Sequence, residues 1–170
     1  MRISKRLALA VSAAAFTLSI GASQAQELTL RIGTEGAYPP FNNLTSDGKL
    51  EGFDIDIANA LCEEMKAKCE FVTQDWDGII PALLAGKFDA IIASMSITEE
   101  RKQKVDFTKK YYNTPSAVAG PKDSDITEIS KEGLAGKVLG AATSTTHYNY
   151  ATQYYTDTEV KGYPASQEFL

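Results

Sequence analysis

Residues 28–33, Leu28-Thr-Leu-Arg-Ile-Gly33, alternate apolar and polar side chains up to a glycine, the period of a strand with one buried face. From residue 53 to residue 66 the period lengthens. Ile57, Leu61 and Met65 recur every four positions among Asp56, Glu63, Glu64 and Lys66, which predicts an amphipathic helix with that apolar stripe. Between these elements, Tyr38-Pro-Pro-Phe41 places two prolines side by side, which excludes regular structure and predicts a stiff, extended loop. Asp47-Gly48 marks a turn. Residues 69–73 read as a short strand, and Asp77 or its neighbour is expected to cap a second helix reaching about Ala85, before Gly86. Ala90-Ile-Ile-Ala93 is an apolar run between Asp89 and Ser94, the signature of a buried parallel strand.

Strands that alternate with helices argue for βαβ units and a parallel sheet covered on both faces. Such sheets bind ligands at the C-terminal ends of their strands. Residues 34–41, 74–77 and 94–98 follow those ends and are expected to converge. Further on, residues 111–119 read as extended, and the polar, turn-rich residues 121–125 read as a boundary between lobes. Residues 137–141 predict a strand, Thr143-Ser-Thr-Thr146 offers several N-caps for a helix reaching about Tyr155, and residues 159–162 predict another short strand. Ser166 reads as the N-cap of a helix only begun at Leu170. No internal repeat or low-complexity tract is present.

The N-terminal residues stand outside this pattern. Arg2, Lys5 and Arg6 precede an apolar stretch of about 14 residues, 7–20, short for a membrane span. Ser23 and Ala25 then supply small residues, so residues 1–25 read as a signal peptide cleaved after Ala25, and the protein as exported to the periplasm. Cleavage removes three positive charges and no negative ones, taking the net charge from −5 to −8. A chain this acidic is a poor partner for nucleic acid or an anionic membrane. Export also bears on Cys62 and Cys69: an even count in an oxidising compartment predicts a disulfide, whereas the single histidine, His147, is too distant in sequence to suggest a metal site.

Several residues admit both a functional and an ordinary structural reading. Arg101 lies in Glu99-Glu-Arg-Lys-Gln-Lys104, a typical solvated helix face. It also follows an apolar strand and the turn Ser94-Met-Ser-Ile-Thr98, whose hydroxyls and N–H groups suit an anion, and a guanidinium matches a carboxylate with two parallel donors. Trp76, between Asp75 and Asp77, is either a core aromatic or a flat wall for an alkyl or cationic side chain. Tyr38 has the same two readings. Glu35 is an exposed loop charge, or a receptor for a cation if it faces the cleft. The hydroxyl-rich helix start at residues 143–147 caps the helix or holds a carboxylate. Asp54 and Asp56 read as capping and solvent-facing acids. No nucleophile–base pair, metal-ligand spacing or phosphate loop appears, so no catalytic residue, metal or cofactor is assigned.

Four stretches in this order carry a resemblance: Arg31-Ile-Gly-Thr-Glu-Gly-Ala-Tyr-Pro-Pro-Phe41, Gly52-Phe-Asp-Ile-Asp-Ile57, Asp75-Trp-Asp-Gly-Ile-Ile-Pro81, and Asp89-Ala-Ile-Ile-Ala-Ser-Met-Ser-Ile-Thr98 with Arg101. The chain resembles periplasmic solute-binding proteins for polar amino acids, in the lysine/arginine/ornithine, histidine and opine-binding branch of ABC importers. The resemblance implies an α/β, two-lobed type II periplasmic-binding-protein fold that closes on a free amino acid and docks on a membrane permease as a monomer. Residues 26–118 would form most of the first lobe and residues 119–170 an incomplete second lobe. The resemblance implies that Glu35 lies near the side-chain end of a basic ligand, with Tyr38 and Trp76 sandwiching its aliphatic part. Ala93 through its backbone, with Ser94 and Ser96, would meet the head group, and Arg101 would pair with the α-carboxylate. Thr145 and Thr146 would supply closing contacts, and Cys62 and Cys69 match a disulfide of the basic-amino-acid branch.

The chain departs from the pattern at Ala93, where many relatives carry a hydroxyl, and at His147, where a neutral polar residue is common. Relatives also continue further, through the rest of the second lobe and back to the first, so residues 26–170 alone are expected to bind weakly and to have marginal stability. The expectation is a non-enzymatic binding component for a basic amino acid or an opine-like compound. The alternative is an exported dehydratase of the same fold acting on a prephenate-like carboxylate.

Overall fold

The computed structural model describes residues 28–169, so the signal-peptide reading of residues 1–25 and the helix expected to begin near Leu170 lie outside the described residues. Strand β1 (Leu28–Thr34) grows more buried along its length, from exposed Leu28 to fully buried Thr34. A small antiparallel meander follows: β2 (Ala37–Tyr38), β3 (Asn42–Leu44) and β4 (Leu50–Glu51). The expected extended loop at the prolines is instead a tight hairpin. Tyr38 pairs with Asn42, the Phe41 N–H donates to the Tyr38 carbonyl at 2.9 Å, and the Pro39–Pro40 bond is cis. The hydrogen bond between Phe41 and Tyr38 closes a four-residue turn, which reverses the chain instead of extending it.

Helix α1 (Phe53–Glu64) follows and carries a second correction. The stripe of Ile57, Leu61 and Met65 does not face the core, and Leu61 and Met65 are about half exposed. Ile55, Ala58 and Cys62 are buried instead, and Ala58 and Cys62 pack with Ile32 against Leu30, Phe71 and Ile92. The physical reason is close approach: small Ala58 and Cys62 let the helix axis settle near the sheet, and Cys62 is bonded to Cys69 on the adjacent strand with Cα atoms 6.0 Å apart. This disulfide agrees with the sequence expectation. Closing so short a loop contributes about 2–3 kcal/mol on the chain-entropy account. Reduction, or joint Cys62→Ser and Cys69→Ser replacement, is expected to lower unfolding free energy by that amount in urea titrations; an unmoved midpoint would refute it.

Strand β5 (Ala67–Thr73) lies parallel to β1 along its whole length, from Leu28 opposite Ala67 to Thr34 opposite Thr73. A 3₁₀ turn, Trp76–Gly78, leads into α2 (Ile79–Leu84). Neither Asp75 nor Asp77 caps these turns through its side chain; Asp77 accepts a hydrogen bond from Thr143 instead. Strand β6 (Ala90–Ile91) completes the sheet in the order β5–β1–β6, parallel as expected. It is shorter and less buried than the apolar run suggested: Ala90 is exposed, Ile91 and Ile92 are partly buried, and only Ala93 of the four is fully buried. Phe88, Ile79, Ala82 and Ala93 form that core, each fully burying chemistry worth about 1.5–3 kcal/mol for the larger side chains. A Cβ on Gly33 would sit 2.5 Å from the Phe88 ring, so the centre of the sheet requires glycine there.

After α3 (Glu99–Lys102), residues 111–119 run without sheet pairing. A short helix that the sequence did not announce, α4 (Lys131–Leu134), is capped by Ser130, whose hydroxyl accepts from the Gly133 N–H at 3.0 Å. Strand β7 (Val138–Ala142), helix α5 (Thr146–Tyr154) and strand β8 (Glu159–Tyr163) then make a second βαβ unit, with β7 and β8 parallel. Leu134, Ala151 and Tyr155 form its core. Thr145 is its N-cap, as expected for that hydroxyl-rich segment. Ser166 opens a 3₁₀ turn, Ser166–Glu168, rather than capping it; Ala165 holds the cap position.

Candidate functional site

The three segments expected to converge do meet, and a fourth, the turn after β7, joins them. Arg101 stands on α3, whose start is fixed by Thr98: its hydroxyl accepts from the Arg101 N–H at 3.2 Å. The guanidinium donates through Nη1 to the Ser96 carbonyl at 2.8 Å and through Nη2 to the Ser144 carbonyl at 3.0 Å. It lies 5.3 Å from the Trp76 ring. Burial lowers the Arg101 pKa, and a guanidinium so placed remains a cation. Two of its five donors are used in these bonds, which leaves its fork half committed.

Trp76 packs on the core and also faces Arg101. One side packs on the core of Ile79, Phe88 and Ala93. Its ring faces Arg101, and its indole Nε1–H donates to the same Ser144 carbonyl at 3.2 Å. Ser144 has φ 57°, a left-handed conformation that turns its carbonyl toward both donors. Beside it, Thr143 donates to Asp77 at 3.3 Å. Thr145 is committed locally, donating to the Ala142 carbonyl at 2.6 Å and accepting from the Tyr148 N–H at 3.1 Å. Thr146 begins α5, and the neighbouring His147 is exposed.

The opposite pole is acidic. Burial raises the Glu35 pKa, and the negative charges of Asp75 and Asp77 raise it further. Burial likewise raises that of Tyr38, with Asp54 and Glu35 adding to the shift. Glu35 is thus electrostatically coupled to both acids that flank Trp76 and to Tyr38. The Tyr38 ring stacks on Phe41 at 5.2 Å, and Phe41 stacks on Tyr112 at 5.1 Å, so Tyr38 is braced from behind. The site therefore has a cationic end where Arg101 lies over Trp76 and an acidic end where Glu35 feels the charges of Asp75 and Asp77.

Ser94 and Asp54 hold a feature that residue types alone did not reveal. Asp54 is fully buried, not solvent-facing; Asp56 is exposed as expected. The Asp54 carboxylate accepts from Asn42 Nδ2 at 2.8 Å, Ser94 Oγ at 2.8 Å and the Tyr111 hydroxyl at 2.7 Å. The Tyr111 oxygen in turn accepts from the Ser94 N–H at 3.1 Å. Burial and the adjoining carboxylate hold that phenol protonated far above its ordinary range. Elsewhere, an open depression of about 520 Å³ lined by Leu44, Leu50, Ile55 and Phe71 contains none of these groups.

Residues 30–164 match the bacterial extracellular solute-binding proteins, family 3. The chain belongs to that family. Among its relatives, the L-arginine-binding protein of Pseudomonas aeruginosa is 47% identical over 166 residues, which cover 96% of this chain and 63% of the relative. An ancestral arginine-binding protein solved with glutamine bound superposes with a TM-score of 0.77 at 41% identity, over 84% of this chain and 63% of that one. An ancestral amino-acid-binding protein described as a precursor of cyclohexadienyl dehydratase also has a TM-score of 0.77, at 38% identity, over 82% of this chain and 63% of that one. The family member described here thus spans somewhat under two thirds of these relatives and has the type II periplasmic-binding-protein fold.

Proposed function

We propose that this chain belongs to the extracytoplasmic, non-enzymatic binding component of an amino-acid ABC importer and takes a basic amino acid or an opine-like compound. The observation that carries this reading is the polarity of the site. A half-committed guanidinium suits an α-carboxylate, an acidic pole at Glu35 suits a cationic side-chain end, and the Trp76 face suits the methylenes between them. Ser94, Ser96 and the Ala93 backbone would meet the head group, Tyr38 would face Trp76 across the aliphatic part, and Thr145 and Thr146 would contribute from the second lobe. Delivery would be to a membrane permease from the periplasm, after removal of residues 1–25, with residues 26–118 and 119–170 as the two lobe portions. The family membership and the basic-amino-acid names among the relatives support the reading.

Calorimetric titration with arginine, lysine, ornithine, histidine and glutamine tests it. Tight binding of a basic amino acid by the full-length protein, without turnover of a prephenate-like acid, is the expected result; turnover of that acid would instead establish the dehydratase alternative. Trp76→Ala is expected to cost about 1–2 kcal/mol of affinity through lost stacking and lost cation–π contact. Wild-type affinity in that variant would remove Trp76 from the site.

A further inference from the structure

We infer that Asp54 is a positioning residue for the ligand site: it holds Ser94, and through Ser94 the turn that leads into α3 and Arg101. The inference rests on the amino-acid-binding reading and assigns a role to a residue that the ligand itself does not reach. Ser94 has φ 52°, a conformation that a non-glycine residue keeps only when its surroundings hold it there. Two bonds do so. Its hydroxyl donates to Asp54 Oδ2 at 2.8 Å, and its N–H donates to the Tyr111 oxygen at 3.1 Å, while the Tyr111 hydroxyl donates to Asp54 Oδ1 at 2.7 Å. Carboxylate, phenol and serine thus close a ring.

A carboxylate suits the centre of that ring. It accepts without donating, and three donors converge on it. An asparagine there would turn an N–H₂ toward one of them. Asp54 lies in the first turn of α1, where the helix dipole favours a negative charge. Among the described residues no cation is bonded to it, so its charge is held by neutral donors and the helix end.

The ring reaches both poles of the site. Two residues beyond Ser94, the Ser96 carbonyl accepts from Arg101 Nη1 at 2.8 Å. On the other side, Asn42 donates to Asp54 and accepts from the Gly36 N–H at 2.8 Å, which ties the residue next to Glu35 to the same carboxylate. One buried acid therefore sets the spacing between the carboxylate receptor and the cation receptor.

The test uses Asp54→Asn and Tyr111→Phe, the second of which keeps the ring that stacks on Phe53. Each is expected to weaken arginine and glutamine alike, by about tenfold. The double variant is expected to lose less than the product, because both changes open one ring. Loss confined to arginine would overturn the inference, since displacement of the head-group turn affects every amino acid. So would wild-type affinity in folded variants. If Asp54→Asn does not fold, Tyr111→Phe decides alone. Hydrogen exchange at the Ser94 amide gives a readout without ligand: Tyr111→Phe is expected to speed it, and unchanged exchange overturns the tether. Faster exchange in a protein that binds no amino acid would uphold the tether and overturn the ligand class.

Discussion

Replacing Arg101 by alanine is expected to lower amino-acid affinity at least about 100-fold, the cost of leaving a carboxylate without its buried charged partner. The loss should be the same for arginine, lysine and glutamine, because the α-carboxylate is common to all of them. Arg101 is well placed for so large an effect. Its guanidinium is half-buried, anchored by the Ser96 and Ser144 carbonyls and set beside Trp76, so little orientation remains to be lost on binding. Arg101→Lys should recover only part of the loss, since an ammonium retains the charge without the planar pair of donors. Calorimetry on both variants measures this directly, with circular dichroism to establish that α3 and the sheet persist. Retained affinity in Arg101→Ala would end the carboxylate role.

Glu35→Gln is expected to weaken basic ligands by about 2 kcal/mol, roughly 30-fold, and neutral ones little. The wild-type protein should reveal the same group through pH. Burial first, and then Asp75 and Asp77, raise the Glu35 pKa in the absence of ligand. A bound cation favours the ionised form and lowers the pKa again, so uptake of a basic ligand near the raised value releases a proton. Arginine affinity is therefore level at higher pH and falls as acidification passes the raised pKa. The ligand-free fold responds with the opposite sign: a carboxyl whose pKa is raised on folding favours the folded state at low pH and loses that contribution as pH rises through the raised value. Proton release measured in buffers of different ionisation enthalpy should vanish in Glu35→Gln. Equal losses for arginine and glutamine would exclude Glu35 as a cation receptor.

The parallel sheet was legible because its causes are local. Residues 28–33 alternate, residues 90–93 are apolar, and helical segments intervene, so the C-terminal ends of β1, β5 and β6 had to lie together. Glu35, Trp76 and Arg101 were singled out as candidates from their places at or just beyond those strand ends together with the family resemblance. The inward face of α1 was not, because size decided it: Ala58 and Cys62 are weaker hydrophobic signals than Leu61 and Met65, yet they permit closer packing. Asp54 was missed for a different reason. An acid in the first turn of a helix ordinarily faces solvent, and its donors come from positions 12, 40 and 57 residues away. The Ser144 carbonyl was equally hidden, since every residue has a carbonyl and only the turn at φ 57° aims this one. A cue existed for the first: Asn42, Asp54, Ser94 and Tyr111 are all polar beside apolar core segments.

The bond from Trp76 to the Ser144 carbonyl also makes the molecule its own optical gauge. Trp76 is the only tryptophan in the chain, and its indole N–H ends on the turn that follows β7. Parting the two βαβ units breaks that bond and removes the guanidinium from the ring's face, which changes the polarity around a single fluorophore. The emission of the unlabelled chain would therefore register any separation of the two units, with one residue as the source of each change in wavelength.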